Sequence, residues 1–199
     1  MTAKNLLSGV LIAGGVYLLF LGGRELVDSR MGQAQAARAF EEPVPDTVET
    51  RAVTQSPAPH SIQRGDTLGK LKIPRLDAEL YVVEGDGHRE LRRGPGHLVG
   101  TAMPGENGNC VIAGHRDTHF RVLKDIRAGD DIILQTAAGQ FLYRVKRTRI
   151  VSPENTSALA PTTNAELNLI TCYPFYYVGS APKRFVVEAQ LAGSVQRPS

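Results

Sequence analysis

The stretch LNLITCYPFYYVGSAPKRFVVEAQL, residues 167–191, contains two apolar runs on either side of a loop that holds two prolines. Cys172 ends the first run and Arg184 begins the second. Runs of this composition separated by turn residues predict two neighbouring antiparallel strands, in which the end of one faces the start of the next. The sequence therefore predicts that Cys172 and Arg184 share one rim of a β-sheet.

The chain from residue 65 onward also carries other short, strand-like runs. Runs rich in Val, Ile, Leu and Tyr, bounded by Gly- and Pro-containing turns, lie at residues 69–73, 78–83, 108–114, 131–136 and 140–150. This pattern is typical of antiparallel β structure, and the turn at 137–139 predicts a hairpin. One short helical turn is predicted over residues 120–126. Because many strands in a small domain must cover their edges, we expect a mainly β fold with a closed or nearly closed barrel.

The amino-terminal segment is apolar and long. Residues 6–23 carry no charge, while Lys4 precedes them and Arg24 follows. About 17 to 25 apolar residues suffice to cross a bilayer as a helix, so this segment predicts a single, retained membrane span. A cleaved signal peptide is the alternative, because residues 34–36 read Ala-Gln-Ala. We expect the carboxyl-terminal domain to lie on the outer side of the cytoplasmic membrane.

These features divide the chain into four segments. Residues 1–24 are the predicted membrane anchor, residues 25–64 a juxtamembrane helix and Pro-rich linker, residues 65–192 the folded β domain and residues 193–199 a tail. Proline extends the linker, whose polar composition cannot bury a core. We expect the juxtamembrane helix to act only as a spacer and the tail to fray.

The charge pattern argues against nucleic-acid binding. The chain has 23 Lys and Arg residues, 20 Asp and Glu residues and a formal net charge of +3, with the two signs interspersed. Proteins that bind nucleic acid concentrate their basic residues in blocks or on one face. We therefore expect no nucleic acid among the partners.

Three residues supply the groups that thiol-based acyl transfer needs. A free thiol, with a pKa of about 8.5, is only a few per cent thiolate at neutral pH, so nearby positive charge must favour the ionised nucleophile, here Cys172. His115 can protonate a departing amine and later take a proton back. The guanidinium of Arg184 can hold the oxyanion of a tetrahedral intermediate or align the substrate. His115 reaches Cys172 only if the two strands that precede them run in the same direction.

Three residues beside the thiol are candidates for substrate binding. The hydroxyl of Thr171 can donate to the substrate or satisfy a backbone group. Tyr173 and Phe175 can line a groove for apolar peptide side chains, or they can fill the core.

Other interpretations of the cysteines and histidines remain open at this stage. Cys110 and Cys172 can form a disulfide in an exported domain. The fragment His115-x-Asp117-x-His119 resembles part of a metal site, but nothing in the sequence completes it. We predict no metal and no cofactor, and we expect Asp117 and His119 to support their loop. The remaining histidines are expected at the surface: His60, His88 and His97.

Several separated motifs together resemble the sortase family, and class D sortases in particular. The resemblance covers roughly residues 65–191. The motifs are Lys-Ile-Pro at 72–74, Gly-Pro-Gly-His at 94–97, Gly-Thr-Ala-Met-Pro-Gly at 100–105, Ala-Gly-His-Arg-Asp-Thr at 113–118, Thr-Cys-Tyr-Pro-Phe-Tyr-Tyr at 171–177 and Ser-Ala-Pro-Lys-Arg at 180–184. One departure is visible, because Asn168 stands where the family's Thr-Leu-x-Thr-Cys begins with Thr.

The resemblance implies a membrane-anchored cysteine transpeptidase with an eight-stranded β-barrel, in which His115, Cys172 and Arg184 are catalytic. Such enzymes cleave a Leu-Pro-x-Thr-Gly-like sorting signal of an exported protein after Thr, through a thioacyl intermediate. They pass the acyl group to an amine, either on a cell-wall peptide or on a lysine of another protein. The implied partners are that signal, the amine acceptor and the lipid around the amino-terminal helix. The alternatives are a thiol peptidase that uses water, and a non-catalytic tethered barrel with a Cys110–Cys172 disulfide.

Overall fold

The computed structural model describes residues 3–41, 62–177 and 179–196. Most of the predicted Pro-rich linker, the last three residues of the predicted tail and His60 lie outside these ranges. The helices are α1 (Ala3–Glu41) and α2 (His88–Arg93). The strands are β1 (Thr67–Ile73), β2 (Ala78–Glu84), β3 (Gly96–His97), β4 (Gly108–Gly114), β5 (Asp131–Thr136), β6 (Gly139–Val151), β7 (Ala165–Tyr173) and β8 (Lys183–Gln196). Three short 3-10 turns cover Pro74–Leu76, His119–Asp125 and Ser157–Leu159.

The eight strands form a closed barrel in the order β1-β2-β3-β4-β7-β8-β6-β5. Most neighbours are antiparallel, but β3 runs parallel to β2 and β4 runs parallel to β7. The circle closes where β5 pairs with β1. The prediction of a mainly β, closed eight-stranded barrel is confirmed.

The elements differ from the sequence prediction at several places. The two-residue strand β3 and the helix α2 were not predicted. The helical turn expected over residues 120–126 is a 3-10 turn at His119–Asp125. Strand β8 continues to Gln196, which pairs with Gly139 of β6, so the described part of the predicted tail is an ordered strand.

The barrel interior is filled by alternate residues of the strands, as the two-residue repeat of a strand requires. Leu167 and Leu169 of β7 and Val187 of β8 belong to this core. Burial of one such aliphatic side chain contributes about 1.5 to 3 kcal/mol. At Gly114 a Cβ atom would lie 2.7 Å from the buried ring of Phe120, so only glycine fits there.

The carboxyl-terminal half of α1 packs against the barrel domain, which corrects the prediction that it is only a spacer. The Gln33 side-chain amide donates to the carbonyl oxygens of Tyr81 and Arg93, both at 2.9 Å, and Tyr81 N donates back to Gln33 Oε1 at 2.7 Å. Gly32 allows a close approach, since a Cβ there would lie 2.6 Å from the Arg93 Cα. These polar contacts attach the helix to β2 and to the end of α2.

Among the residues that the structure describes, no helix is both long enough and apolar enough to span a membrane. The predicted span is therefore not confirmed and stays a prediction.

Candidate functional site

Cys172 and Arg184 lie opposite each other across the antiparallel pair of β7 and β8. Their Cα atoms are register partners at the end of β7 and the start of β8. Directly opposed residues of an antiparallel pair project their side chains from the same face of the sheet. The predicted rim is therefore confirmed, because the guanidinium and the thiol start from adjacent positions.

His115 comes to the same rim because β4 and β7 are parallel. Gly114 pairs with Thr171, so the next residues along the two chains are His115 and Cys172. The carbonyl oxygen of His115 accepts a hydrogen bond of 2.9 Å from Phe120 N, which holds the loop that follows β4. The condition that the sequence left open, that both strands run in the same direction, is met.

Cys172 and Arg184 belong to the outer face of the barrel. Leu169 of β7 and Phe185 of β8 point into the core. Successive side chains of a strand alternate between the two faces of the sheet. Cys172 is three residues after Leu169 and Arg184 is one residue before Phe185, so both project outward. Cys172 is half-buried and is not in a disulfide. A thiol in this position is open to a substrate lying along the outer surface.

An apolar pocket of about 230 Å³ adjoins this rim. Its floor is formed by outward-facing residues of the sheet, including Ala113, Ile170 and Val186, and Arg184 lines one end. Its wall comes from the connection between β6 and β7, which contributes Ala158 and Leu159. Ile170 is the outward-facing residue that precedes Cys172 on β7, so the pocket and the thiol are about 7 Å apart along the strand.

The predicted substrate-binding residues do not line this pocket. Thr171 is buried, and its hydroxyl donates to the Gly114 carbonyl oxygen at 2.6 Å, which ties β7 to β4 beside the thiol. Tyr173 and Phe175 pack against Phe185, with ring centroids 6.3 and 5.2 Å from it. The structure thus shows Thr171 bonded to the backbone and the two aromatic residues packed into the core, which were the alternatives to substrate binding. Substrate binding by the three residues stays a prediction.

Arg116 connects the loop after His115 to the loop after Cys172, which the sequence did not indicate. Its Nη2 donates to the carbonyl oxygens of Tyr177 and Gly179 at 2.8 and 2.9 Å. Its guanidinium also lies 5.7 Å from the centre of the Tyr177 ring. Arg116 belongs to the predicted Ala-Gly-His-Arg motif, but only the three-dimensional arrangement shows which loop it holds.

His97 is buried, which corrects its predicted place at the surface. It is 1% exposed, and its Nδ1 lies 2.8 Å from Glu84 Oε2. Its Nε2 lies 3.0 Å from Thr101 Oγ1 and 3.1 Å from the Ala102 carbonyl oxygen. This histidine joins β3 to β2 and to the loop before β4. His88 is exposed, as predicted.

The His115-x-Asp117-x-His119 fragment does not come together as a site. His119 is buried and its Nε2 lies 3.2 Å from Ser29 Oγ of α1, whereas Asp117 is exposed. Burial lowers the pKa of His119 below its usual value. Within the described ranges there is no group of three or more His, Cys, Asp and Glu side chains that could hold a metal.

The Cys110–Cys172 disulfide is excluded by the register of β4 and β7. Cys110 pairs with Leu167, and Cys172 lies five residues further along β7. That offset corresponds to about 16 Å along a strand, whereas a disulfide requires Cα atoms within about 7 Å. The two thiols also project from opposite faces of the sheet, since Cys110 belongs to the core.

A closed β-barrel that brings a cysteine, an arginine and a histidine to one rim has the layout of a thiol-dependent acyl-transfer domain. A family model described as "Sortase domain" matches residues 71–192. The chain belongs to the sortase family, whose members are cysteine transpeptidases that act on sorting signals and amine acceptors.

Relatives of known sequence and structure agree with this assignment. The chain is 34% identical to Sortase D of Bacillus subtilis strain 168 over 191 residues, which cover 92% of this chain and 96% of that protein. A solved Clostridium perfringens Sortase D5 transpeptidase superposes with a TM-score of 0.65 at 26% identity, covering 84% of this chain and 99% of that one. The catalytic domain of Bacillus anthracis SrtD gives a TM-score of 0.61 at 28% identity, over 73% of this chain and 100% of that one.

Proposed function

We propose that this sortase cleaves a Leu-Pro-x-Thr-Gly-like sorting signal after Thr, with Cys172 as nucleophile, and transfers the acyl group to an amine. The observation that carries the proposal is the register pairing of Cys172 with Arg184 at the end of the apolar pocket. An extended peptide rises about 3.3 Å per residue. With its Leu and Pro in the pocket, the bond after Thr falls near the thiol.

The chemistry proceeds in two acyl transfers. The thiolate of Cys172 attacks the Thr carbonyl carbon, and the oxyanion that forms accepts hydrogen bonds from the guanidinium of Arg184. When the Thr–Gly bond breaks, His115 gives a proton to the departing amine, leaving a thioester on Cys172. The acceptor amine then attacks the thioester and loses a proton to His115, and the new peptide bond forms as the thiolate leaves.

The acceptor that we propose is an amine of a cell-wall peptide or of a lysine on another protein. The enzyme would act at the outer face of the cytoplasmic membrane, attached through residues 6–23. Support for the anchor comes from the uncharged, apolar composition of that segment. Protease treatment of intact cells tests the orientation, because a carboxyl-terminal domain outside the membrane is digested and one inside is protected.

Mass spectrometry of a Leu-Pro-x-Thr-Gly peptide incubated with the protein, with and without an added amine, tests the reaction. We expect the peptide to be cut after Thr and the amine to become joined to the Thr carboxyl group. If only the hydrolysed acid forms at every amine concentration, the protein is a thiol peptidase and transpeptidation is wrong. If the peptide stays intact, the proposed sorting signal is wrong.

A further inference from the structure

Two buried asparagines lie on the outer face of the sheet, on the side of the pocket that is away from Cys172. Asn109 of β4 and Asn168 of β7 are 5% and 4% exposed. The Asn168 side-chain amide donates to Asn109 Oδ1 at 2.7 Å. Asn168 is the position at which this chain departs from the Thr of the family motif. The pair therefore places a buried polar contact next to the pocket.

Asn109 holds the loop that forms the pocket wall. Its Nδ2 donates to the carbonyl oxygens of Ala158 and Ala160, both at 2.9 Å. These carbonyls flank Leu159, which lines the pocket together with Ala158. Two hydrogen bonds from one buried amide thus fix the distance between the sheet and the loop that forms the pocket wall.

The loop has little else that attaches it to the barrel. In residues 152–160 only Ala158 is buried, and the other eight are exposed. Its other contacts are an exposed hydrogen bond of 3.3 Å from Arg149 Nη2 of β6 to Ser157 Oγ and local bonds, such as Leu159 N donating to the Thr156 carbonyl oxygen at 2.8 Å. Because an exposed segment gains little from hydrophobic burial, its position depends strongly on the bonds to Asn109.

The two loop carbonyls fix which way the Asn109 amide points, and Asn168 donates to the Oδ1 that this orientation presents, while the buried Asn168 Oδ1 has no hydrogen-bond partner among the described residues. If Asn109 were turned over, its Nδ2 would face the Nδ2 of Asn168 and its Oδ1 would face two carbonyl oxygens, so donors would meet donors and acceptors would meet acceptors. A Thr hydroxyl at position 168 would be shorter than the Asn amide by about one bond of 1.5 Å, which would open the 2.7 Å contact. The departure from the family motif therefore has a specific consequence for the wall.

The geometry points to Asn109 and Asn168 as positioning residues that keep the substrate pocket preformed by fixing the β6–β7 loop. This inference rests on the proposed function, since it assigns the pocket to the sorting signal. Neither residue lies on the Cys172–Arg184 rim: on the outer face of β7, Ile170 separates Asn168 from Cys172. Loss of the pair should therefore weaken binding of the peptide and leave the chemical steps nearly unchanged.

The first variant is Asn109→Ala, with Asn107→Ala as its matched control, because Asn107 is exposed in the same stretch of chain. In Asn109→Ala we expect the KM for a Leu-Pro-x-Thr-Gly peptide to rise about tenfold, as loss of buried hydrogen bonds predicts, while kcat stays within about twofold. Hydrogen exchange at the Leu159 and Ala160 amides should accelerate at least about tenfold. The control should match the wild type in both measurements.

A second variant keeps the test decisive if Asn109→Ala does not fold. Asn168→Thr introduces the residue of the family motif, and we expect the same two changes at about threefold size. A folded variant with wild-type KM and wild-type exchange overturns the inference, and so does a loss of stability without a change in KM. The exchange measurement needs no substrate, so it separates failure of this inference from failure of the proposed function: a wild type that does not cleave the peptide refutes only the latter.

Discussion

The two cysteines lie on parallel neighbouring strands, yet they occupy opposite environments. Cys110 of β4 belongs to the barrel core and is 1% exposed. Burial, helped by the carboxylates of Glu84 and Glu106, raises the pKa of the Cys110 thiol to about 12. Cys172 of β7 is half-buried on the outer face, with Arg184 as its register partner. One thiol is thus inert at neutral pH, whereas the other is placed for chemistry.

The difference comes from strand parity and from the length of the strand. Cys110 pairs with Leu167, which faces the core, and Cys172 lies five residues further along β7, so it faces outward. Cys110 lies within β4, while Cys172 lies one residue before the end of β7. A nucleophile in this barrel therefore needs both an outward position and a place at the rim.

Replacing each cysteine by alanine should produce the largest contrast. Cys172→Ala should lower the rate of transpeptidation at least about a thousandfold, because no thioester can form. Cys110→Ala should keep activity within about threefold, since its thiol takes no part in the chemistry. Mass spectrometry of the peptide products measures both rates. A folded Cys110→Ala protein without activity would remove the functional difference between the two thiols.

Arg184 is the feature that distinguishes the environment of Cys172, and its loss should be nearly as severe. Arg184→Ala should lower kcat about 100- to 1000-fold, as expected for removal of an oxyanion donor. Arg184→Lys keeps the charge but not the planar fork of donors and should lose about tenfold. Lys183→Ala is the matched control, because Lys183 is exposed and pairs with Tyr173 instead of the thiol. Equal losses in Arg184→Ala and the control would argue against a direct role.

Replacing each cysteine by serine should affect stability more at Cys110 than at Cys172, the opposite of the order expected for activity. Cys110→Ser places a hydroxyl in the core and should lower the free energy of unfolding by about 1 to 3 kcal/mol. Cys172→Ser lies on the outer rim and should change it by less than about 0.5 kcal/mol. Urea denaturation followed by circular dichroism measures both values. Similar losses for the two variants would show that the thiols occupy similar environments.

Loss of the hydrogen bonds by which Arg116 joins the two loops should have the smallest effect on activity. Arg116→Leu removes the two hydrogen bonds to the Tyr177 and Gly179 carbonyl oxygens, so the loop after Cys172 loses a tie to the loop after His115. Because these bonds are exposed to solvent, we expect kcat/KM to fall only about fivefold. Arg127→Leu serves as control, because Arg127 is an exposed arginine outside the two loops, whereas Arg116 is half-buried. Steady-state kinetics measures kcat/KM for both variants. Equal values for Arg116→Leu and the control would show that the bonds between the two loops do not contribute to activity.

The features that sequence reasoning predicted correctly are local ones. The rim shared by Cys172 and Arg184 follows from two strands joined by one short loop, so the pairing partner is the next strand in the chain. The position of His115 depends on a parallel pairing between β4 and β7, which are separated by 50 residues. Composition does not encode the direction of such a distant pair, and only the assembled barrel determines it.

The features that were missed depend on contacts between distant segments. His97 lies in a strand of two residues, which is too short for periodicity, and its burial comes from β2 and β4 on either side. The carboxyl-terminal part of α1 is polar enough to be taken for a solvated spacer, yet Gln33 uses that polarity to bind the barrel backbone. The pocket wall is built by Ala158 and Leu159, whose residue types carry no signal of a binding site.

The most direct test of Cys172 as the nucleophile is the location of the acyl group on the enzyme. The wild-type protein is incubated with a Leu-Pro-x-Thr-Gly peptide without an amine, quenched in acid, digested and mapped by mass spectrometry. We predict a thioester on the fragment that contains Cys172, with the mass of the peptide up to its Thr carbonyl, and no adduct on Cys110. Peptide turnover with the acyl group on Cys110, or on neither cysteine, would contradict the assignment of Cys172 as the nucleophile.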